Sequence, residues 1–317
     1  MNKNIFLIPL YFVLVNQIMQ AQYGGGDGLT EQTAFEIHNI TQLQYLADMV
    51  NNSSDLNYSM DKYFILMADI DDPVTFVIGN TGMHGTTDRK FMGKFDGNMK
   101  RINLAINSSS ISVSPVVNTA LFSRVSNRYF SWGPESATPV YIKNLIVYGY
   151  VENNHPGCAA GIAGDIIAEY QDIIISNCIN LAKITNSCLT SGNPYTGGII
   201  GIASVNLGTN TIEVSNCYNL GTIYGSGDPG NSWGSTGGII GRIYDNVHLF
   251  NCVNAGFVWG QRNVGGIVGG GGGSNSLTNC VNTGVIEGAG YLGCITGSGN
   301  AVITNCWWDK QICPHDD

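Results

Sequence analysis

The stretch NCVNAGFVWGQRNVGGIVGG, residues 251–270, decides the fold of this chain. It joins an Asn-Cys run, an Asn-x-Gly turn and a Gly-Gly-Ile-Val-Gly box, and a close copy begins 28 residues later. Working outward, Asn-Cys recurs as SNCIN, SNCYN, FNCVN, TNCVN and TNCWW, placing Cys178, Cys217, Cys252, Cys280 and Cys306 at steps of 39, 35, 28 and 26 residues. A glycine box precedes each, ending at Gly164, Gly201, Gly241, Gly269 and Gly297. Two markers recurring in one order with matched spacing define a repeat array.

The shortest repeat holds three apolar runs of three to five residues: the glycine box, the Asn-Cys run and the run after Asn-x-Gly. Runs that short suit strands, not helices. Asn-x-Gly is turn chemistry, with Gly free to take positive φ. Three strands and three turns close one coil, and stacked coils make an all-β, right-handed parallel β-helix, a solenoid with about three short strands per coil. Equivalent residues then lie over one another. The five cysteines become an inward column of small apolar side chains, and the asparagines can stack as an amide ladder. Gly-Gly marks a corner where a Cβ would clash. The five column cysteines are expected to be mostly free thiols, with a Cys306–Cys313 pair allowed as an exception. The disulfide state of Cys158, Cys188, Cys294 and Cys313 is left open. Zinc needs Cys-x-x-Cys or nearby His, which the spacing does not provide.

Composition bounds the function. Glycine is 42 of 317 residues, well above the usual ~7%. A net charge of −9 excludes the basic footprint of a sequence-independent nucleic-acid binder. Lys3 followed by the apolar run 5–15 and the small residue at Ala21-Gln22 reads as a secretory signal peptide, residues 1–22, too short for a membrane span. The chain is therefore expected to be exported, to the cell surface, periplasm or medium, with no span after cleavage.

Residues 23–62 are expected to form an N-terminal cap. Leu43, Leu46, Ala47 and Val50 share one helical face over 41–50, and Thr41 with Gln44 has the pattern of a capping box. Such a helix covers the first coil's open edge. The solenoid is expected over 63–305 and a tail over 306–317. ALFSRV, 120–125, stands where a glycine box would fall, and IKNLIVYGYV, 142–151, matches the Asn-Cys unit with Leu145 in the Cys position.

The GGIIG…SNCYNLGTIYG unit resembles the GLUG-motif repeats of exported bacterial surface proteins. The lead-in YGGGDGLTEQTAFEIHNITQLQYLADMVN and the close NCWWDKQIC resemble such proteins of Bacteroidetes-type bacteria. Ser123 in place of a glycine, Ala182 in the Asn-x-Gly position and Cys294 in the last box depart from the pattern. The resemblance implies an exported repeat scaffold, not an activity.

Parallel β-helices also carry polysaccharide lyases and hydrolases, which need paired carboxylates or acids with a metal. The acidic cluster is Asp69, Asp71, Asp72, Asp88 and Asp96, with Arg89, Lys90 and Lys94 interspersed. Its carboxylates would suit calcium, but turn structure accounts for them, and no metal, cofactor or catalytic set is assigned. The expected function is a non-enzymatic scaffold for adhesion or envelope interaction, binding a glycan or surface protein. The alternative is a polysaccharide-active enzyme using residues 69–96. Tyr195, Trp233, Trp259 and Tyr291 approach one corner in successive coils and are expected to form an exposed aromatic strip beside Asn193, Asp228, Asn231 and Gln261.

Overall fold

The computed structural model describes residues 22–80, 89–111, 118–128, 135–188, 194–206, 208–226 and 234–315. Strands stack in parallel register along the chain, making a parallel β-helix. One coil shows how. Its strands are Ser235–Gly237, Ile240–Tyr244, Val247–Phe250, Val253–Asn254 and Val258–Gly260. Each pairs in parallel with its counterpart in the next coil, as in Val258↔Ile286 and Ile240↔Val268. Each of the first two apolar runs is bent into two strands, so three faces are built from five segments.

The two bends have different causes. The residue before each column cysteine is Asn in left-handed backbone: Asn177, Asn216, Asn251, Asn279 and Asn305 have φ between 51° and 55°. Asn tolerates that region where β-branched residues do not. The Gly of Asn-x-Gly does not take positive φ. Its constraint is close approach, because a Cβ on Gly256 would lie 1.9 Å from the Gly221 carbonyl oxygen and one on Gly284 2.0 Å from that of Gly256. The glycine box is crowded in the same way: a Cβ on Gly238 would stand 2.1 Å from the Gly266 oxygen.

Columns fill the interior. Ile142, Ile175, Val214, Leu249 and Leu277 stack in register and are buried, and Ile303 ends the row partly exposed. Burying each such side chain contributes roughly 1.5–3 kcal/mol. The cysteine column lies beside it, with Leu145 in the Cys position one coil earlier, as Ile146↔Ile179 requires. Phe122 pairs with Ala163, which places ALFSRV in the glycine-box column. A second asparagine is fully buried in the first four repeats, Trp308 taking its place in the last. Asn180 Nδ2 donates to Asn219 Oδ1 at 2.8 Å, Asn219 to Asn254 at 2.7 Å, and Asn254 to Asn282 at 2.8 Å. Each also donates to the carbonyl two residues on, so the polar column is satisfied along its length.

At the N-terminal end, helix Ile40–Asn52 buries Leu43, Leu46, Ala47 and Val50. The cap is Asn39, whose side chain accepts from Gln42 N, while Gln42 Oε1 accepts from His38 N. The Thr41–Gln44 box does not form; Gln44 reaches Asp48 instead. The parallel stack extends past both expected limits. Phe35–Ile37 pairs with Tyr63–Leu66 ahead of residue 63, and Trp307–Trp308 pairs with Val281–Asn282 after residue 305. Cys294 and Cys313 form a disulfide, so Cys313 does not take the pairing with Cys306 that the sequence allowed as an exception. The inward column holds Cys306 under Cys280, whereas the turn at 309–313 carries Cys313 back to the glycine-box corner.

Candidate functional site

The left-handed asparagines project outward at one corner and form a second, exposed amide ladder. Asn177 Nδ2 donates to Asn144 Oδ1 at 3.0 Å, Asn251 to Asn216 at 3.2 Å, and Asn279 to Asn251 at 3.3 Å. Two residues on, the strand alternation turns another column outward: Ile146, Ile179, Tyr218, Val253, Val281 and Trp307. Tyr218 is 40% and Trp307 69% exposed. The five steps span roughly 24 Å at the ~4.8 Å strand separation. Neither column contains a charged residue. Met99, Asn144, Asn177, Ile179, Asn216 and Tyr218 line a shallow groove where the columns meet the earlier coils. The signal for this face lies in the third position of Asn-Cys-x-Asn, apolar in every copy; sequence reasoning spent the motif on the core alone.

Among the described residues the expected aromatic strip is not brought together. Tyr195 is only 3% exposed, its hydroxyl 3.4 Å from that of Tyr244 and its ring beneath the Arg242 guanidinium, so it is a packing residue. Trp259 is half-buried in a different row, registered with Tyr224 and Glu287. Tyr291 registers with Asn263, in the column of Ser235 and Tyr195. Tyr291 is 69% exposed and lines a shallow depression with Gln261, Arg262, Ala289 and Gly290. Trp233, Asn193, Asp228 and Asn231 lie outside the described residues.

Asp69, Asp71 and Asp96 of the acidic region are tied up in local contacts. Arg101 reaches Asp71 Oδ1 at 3.2 Å and Asp69 Oδ2 at 3.5 Å, and Tyr148 donates to Asp71 at 2.7 Å. Hydrogen bonds from Tyr148 and then Arg101 hold the Asp71 carboxyl below its usual range. Asp96 accepts from Asn98 N and Asn144 Nδ2 and sits 3.4 Å from Lys143. Lys94 is buried against Asp61 at 2.9 Å. Asp88 lies outside the described residues. A general acid must hold its proton near the working pH, and Asp71 is set against that role. Among the described residues no group of three or more His, Cys, Asp and Glu could hold a metal ion.

The column thiols are free: Cys178, Cys217, Cys252 and Cys280 are buried, and Cys306 is partly so. Burial first, then contact with Cys178, pushes the Cys217 thiol well up, and contact with Cys252 raises Cys280 to about 12. Thiols so shifted are poor nucleophiles. Cys158 and Cys188 are also buried and free.

No family model matches this chain. No curated protein matches it either. Among solved structures it is similar to one from Bacteroides ovatus, provisionally described as an immunoglobulin A1 protease. The two share 20% identity with a TM-score of 0.61, over 90% of this chain and 78% of that one. At that identity the likeness carries the fold alone, so the GLUG-type resemblance rests on the repeat units themselves. No helix among the described residues is long and apolar enough to cross a membrane.

Proposed function

We propose that the protein is an exported, non-enzymatic repeat scaffold of the GLUG type that binds a glycan or a surface protein at the cell envelope. The supporting observation is the uncharged outer face, where an amide ladder and an apolar column run side by side through successive coils. A rigid, repetitive, accessible surface is what a binding scaffold needs. Asp69, Asp71 and Asp96, by contrast, are engaged by Arg101, Tyr148, Lys143 and Asn144. The test is to present the mature chain to a glycan array and to isolated cell envelopes, while assaying the same mixtures for new reducing ends, unsaturated sugars and cleaved immunoglobulin A1. Saturable binding without product is the expected result. Product that accumulates with protein concentration and disappears in Asp71→Asn would replace the scaffold with an enzyme.

A further inference from the structure

We infer that the ladder asparagines and the apolar column beside them form one extended site for a linear, uncharged polysaccharide lying along the solenoid axis. This deepens the binding-scaffold reading and rests on it.

Three features select that ligand. The first is charge. The protein carries −9 overall, yet none of the side chains from Asn144 to Asn305 in the ladder, or from Ile146 to Trp307 in the column, is ionisable at neutral pH. Charge enters only at the N-terminal border, where Arg101 registers with Ile146 and the Lys143–Asp96 pair meets Asn144. Along the coils beyond, an acidic or basic partner finds no counter-charge in the two columns, and a neutral one pays no desolvation of ions. The second is hydrogen-bonding capacity. A side-chain amide offers two N–H donors and two acceptor lone pairs. An interior ladder residue such as Asn251 spends one donor on Asn216 and one acceptor on Asn279. One donor and one acceptor then remain at the surface of that coil, a pairing that hydroxyl groups match. The third is the adjacent apolar column, where the exposed rings of Tyr218 and Trp307 present faces to the C–H side of a sugar.

Length sets the ligand's shape. A polymer alternating hydroxyl edges with C–H faces meets the same two features at every coil, over roughly 24 Å at the ~4.8 Å spacing. A compact ligand meets them at only one or two. Protein-binding surfaces favour Arg and Met with aromatic residues at their centres, and the amide-lined rows from Asn177 to Trp307 contain neither Arg nor Met. The groove lined by Met99, Asn177, Ile179 and Tyr218 is where the polymer enters from the N-terminal coils.

The experiment is affinity electrophoresis of the full mature chain through gels containing hydroxyethyl cellulose, galactomannan, arabinoxylan or polygalacturonate, with size-exclusion light scattering in parallel. Retardation by at least one of the neutral polymers is expected, and not by polygalacturonate. Short oligosaccharides of the same polymer should compete at least roughly tenfold more weakly than the polymer. Tyr218→Ala combined with Asn216→Gly should abolish retardation with the melting temperature nearly unchanged; Gly keeps the left-handed backbone that position 216 requires. Tyr291→Ala, on another face, should leave retardation intact. No retardation by any neutral polymer, equal retardation of the double variant, or preference for polygalacturonate overturns the inference. So does a dimer that Tyr218→Ala dissolves, which makes the face a contact between copies. Binding to cell envelopes without retardation by any polymer sinks the polysaccharide while leaving the scaffold, and binding to neither sinks both.

Discussion

Asn219 and Asn254, 35 residues apart in sequence, meet inside the solenoid with Nδ2 donating to Oδ1 at 2.7 Å, and Asn254 repeats the bond to Asn282. Neither residue is accessible to water. The buried ladder works because each amide is at once donor to the next coil, acceptor from the previous one and donor to a carbonyl in its own turn.

That continuity makes the ladder sensitive to one cut. Asn254→Leu strands the Asn219 donor and the Gly256 carbonyl, each costing about 1–3 kcal/mol when left unmade in the interior, while Asn282 Oδ1 still accepts from Gly284 N. Urea unfolding should show a loss within the sum of those two costs. A variant as stable as the parent would mean that the ladder contributes nothing beyond its shape.

The glycines separate into crowded and open positions. Gly238→Ala drives a Cβ to 2.1 Å from a backbone oxygen, whereas at Gly272 nothing lies within 4 Å and φ is not positive. Gly238→Ala should destabilise by at least about 3 kcal/mol, the upper range for overpacking. Gly272→Ala should be neutral or stabilise by up to about 1 kcal/mol through the unfolded chain. Thermal melts of the two variants side by side check the contrast.

Acid sensitivity should trace partly to Asp61. Burial acts to raise its pKa and is the largest single influence, but hydrogen bonds from Lys94, Ala137 N and Thr138 together outweigh it and hold the carboxyl below its usual range. A depressed carboxylate stabilises the fold above its unfolded value and loses that contribution as pH falls through the folded one. The loss should therefore begin below about pH 4, near the unfolded Asp value. Asp61→Asn keeps the left-handed backbone tolerable at φ 56° but leaves the buried Lys94 unpaired. At pH 7 it should cost about 2 kcal/mol, the buried-pair figure discounted for the exposed Asp61 side, and the acid limb should flatten. An unchanged limb would assign the acid response to other groups.

Without reductant, the denatured protein should titrate seven thiols of its nine cysteines. Cys313→Ser opens a loop of 19-residue separation and should lower stability by about 3 kcal/mol. Peptide mapping that finds Cys306 bonded, or Cys294 free, would contradict the pairing.

How far the sequence could be read depended on what each pattern encodes. The coil, the cysteine column and the helical face of Leu43, Leu46, Ala47 and Val50 were legible because spacing alone carries them. Asn-Cys was read for its cysteine, yet its asparagine makes the corner by adopting positive φ, a property that Asn-x-Gly seemed to claim for Gly256. Trp259 falls outside the row of Tyr195 and Tyr291 because proximity to a corner does not fix the phase of a strand. Even a shared register is not enough: Tyr195 and Tyr291 hold the same position in their coils, yet Tyr195 is covered by Arg242 and Tyr244 whereas Tyr291 faces water.

By itself the sequence determined the stacking, since identical residues at a repeated interval can all be buried only if the coils superpose. Tertiary structure alone decided which partners meet across the stack: Cys294 with Cys313, Lys94 with Asp61, and Arg101 with Asp69, Asp71 and Tyr148. Those contacts join residues from different coils or turns, and their geometry depends on where each turn returns the chain, which no local periodicity records.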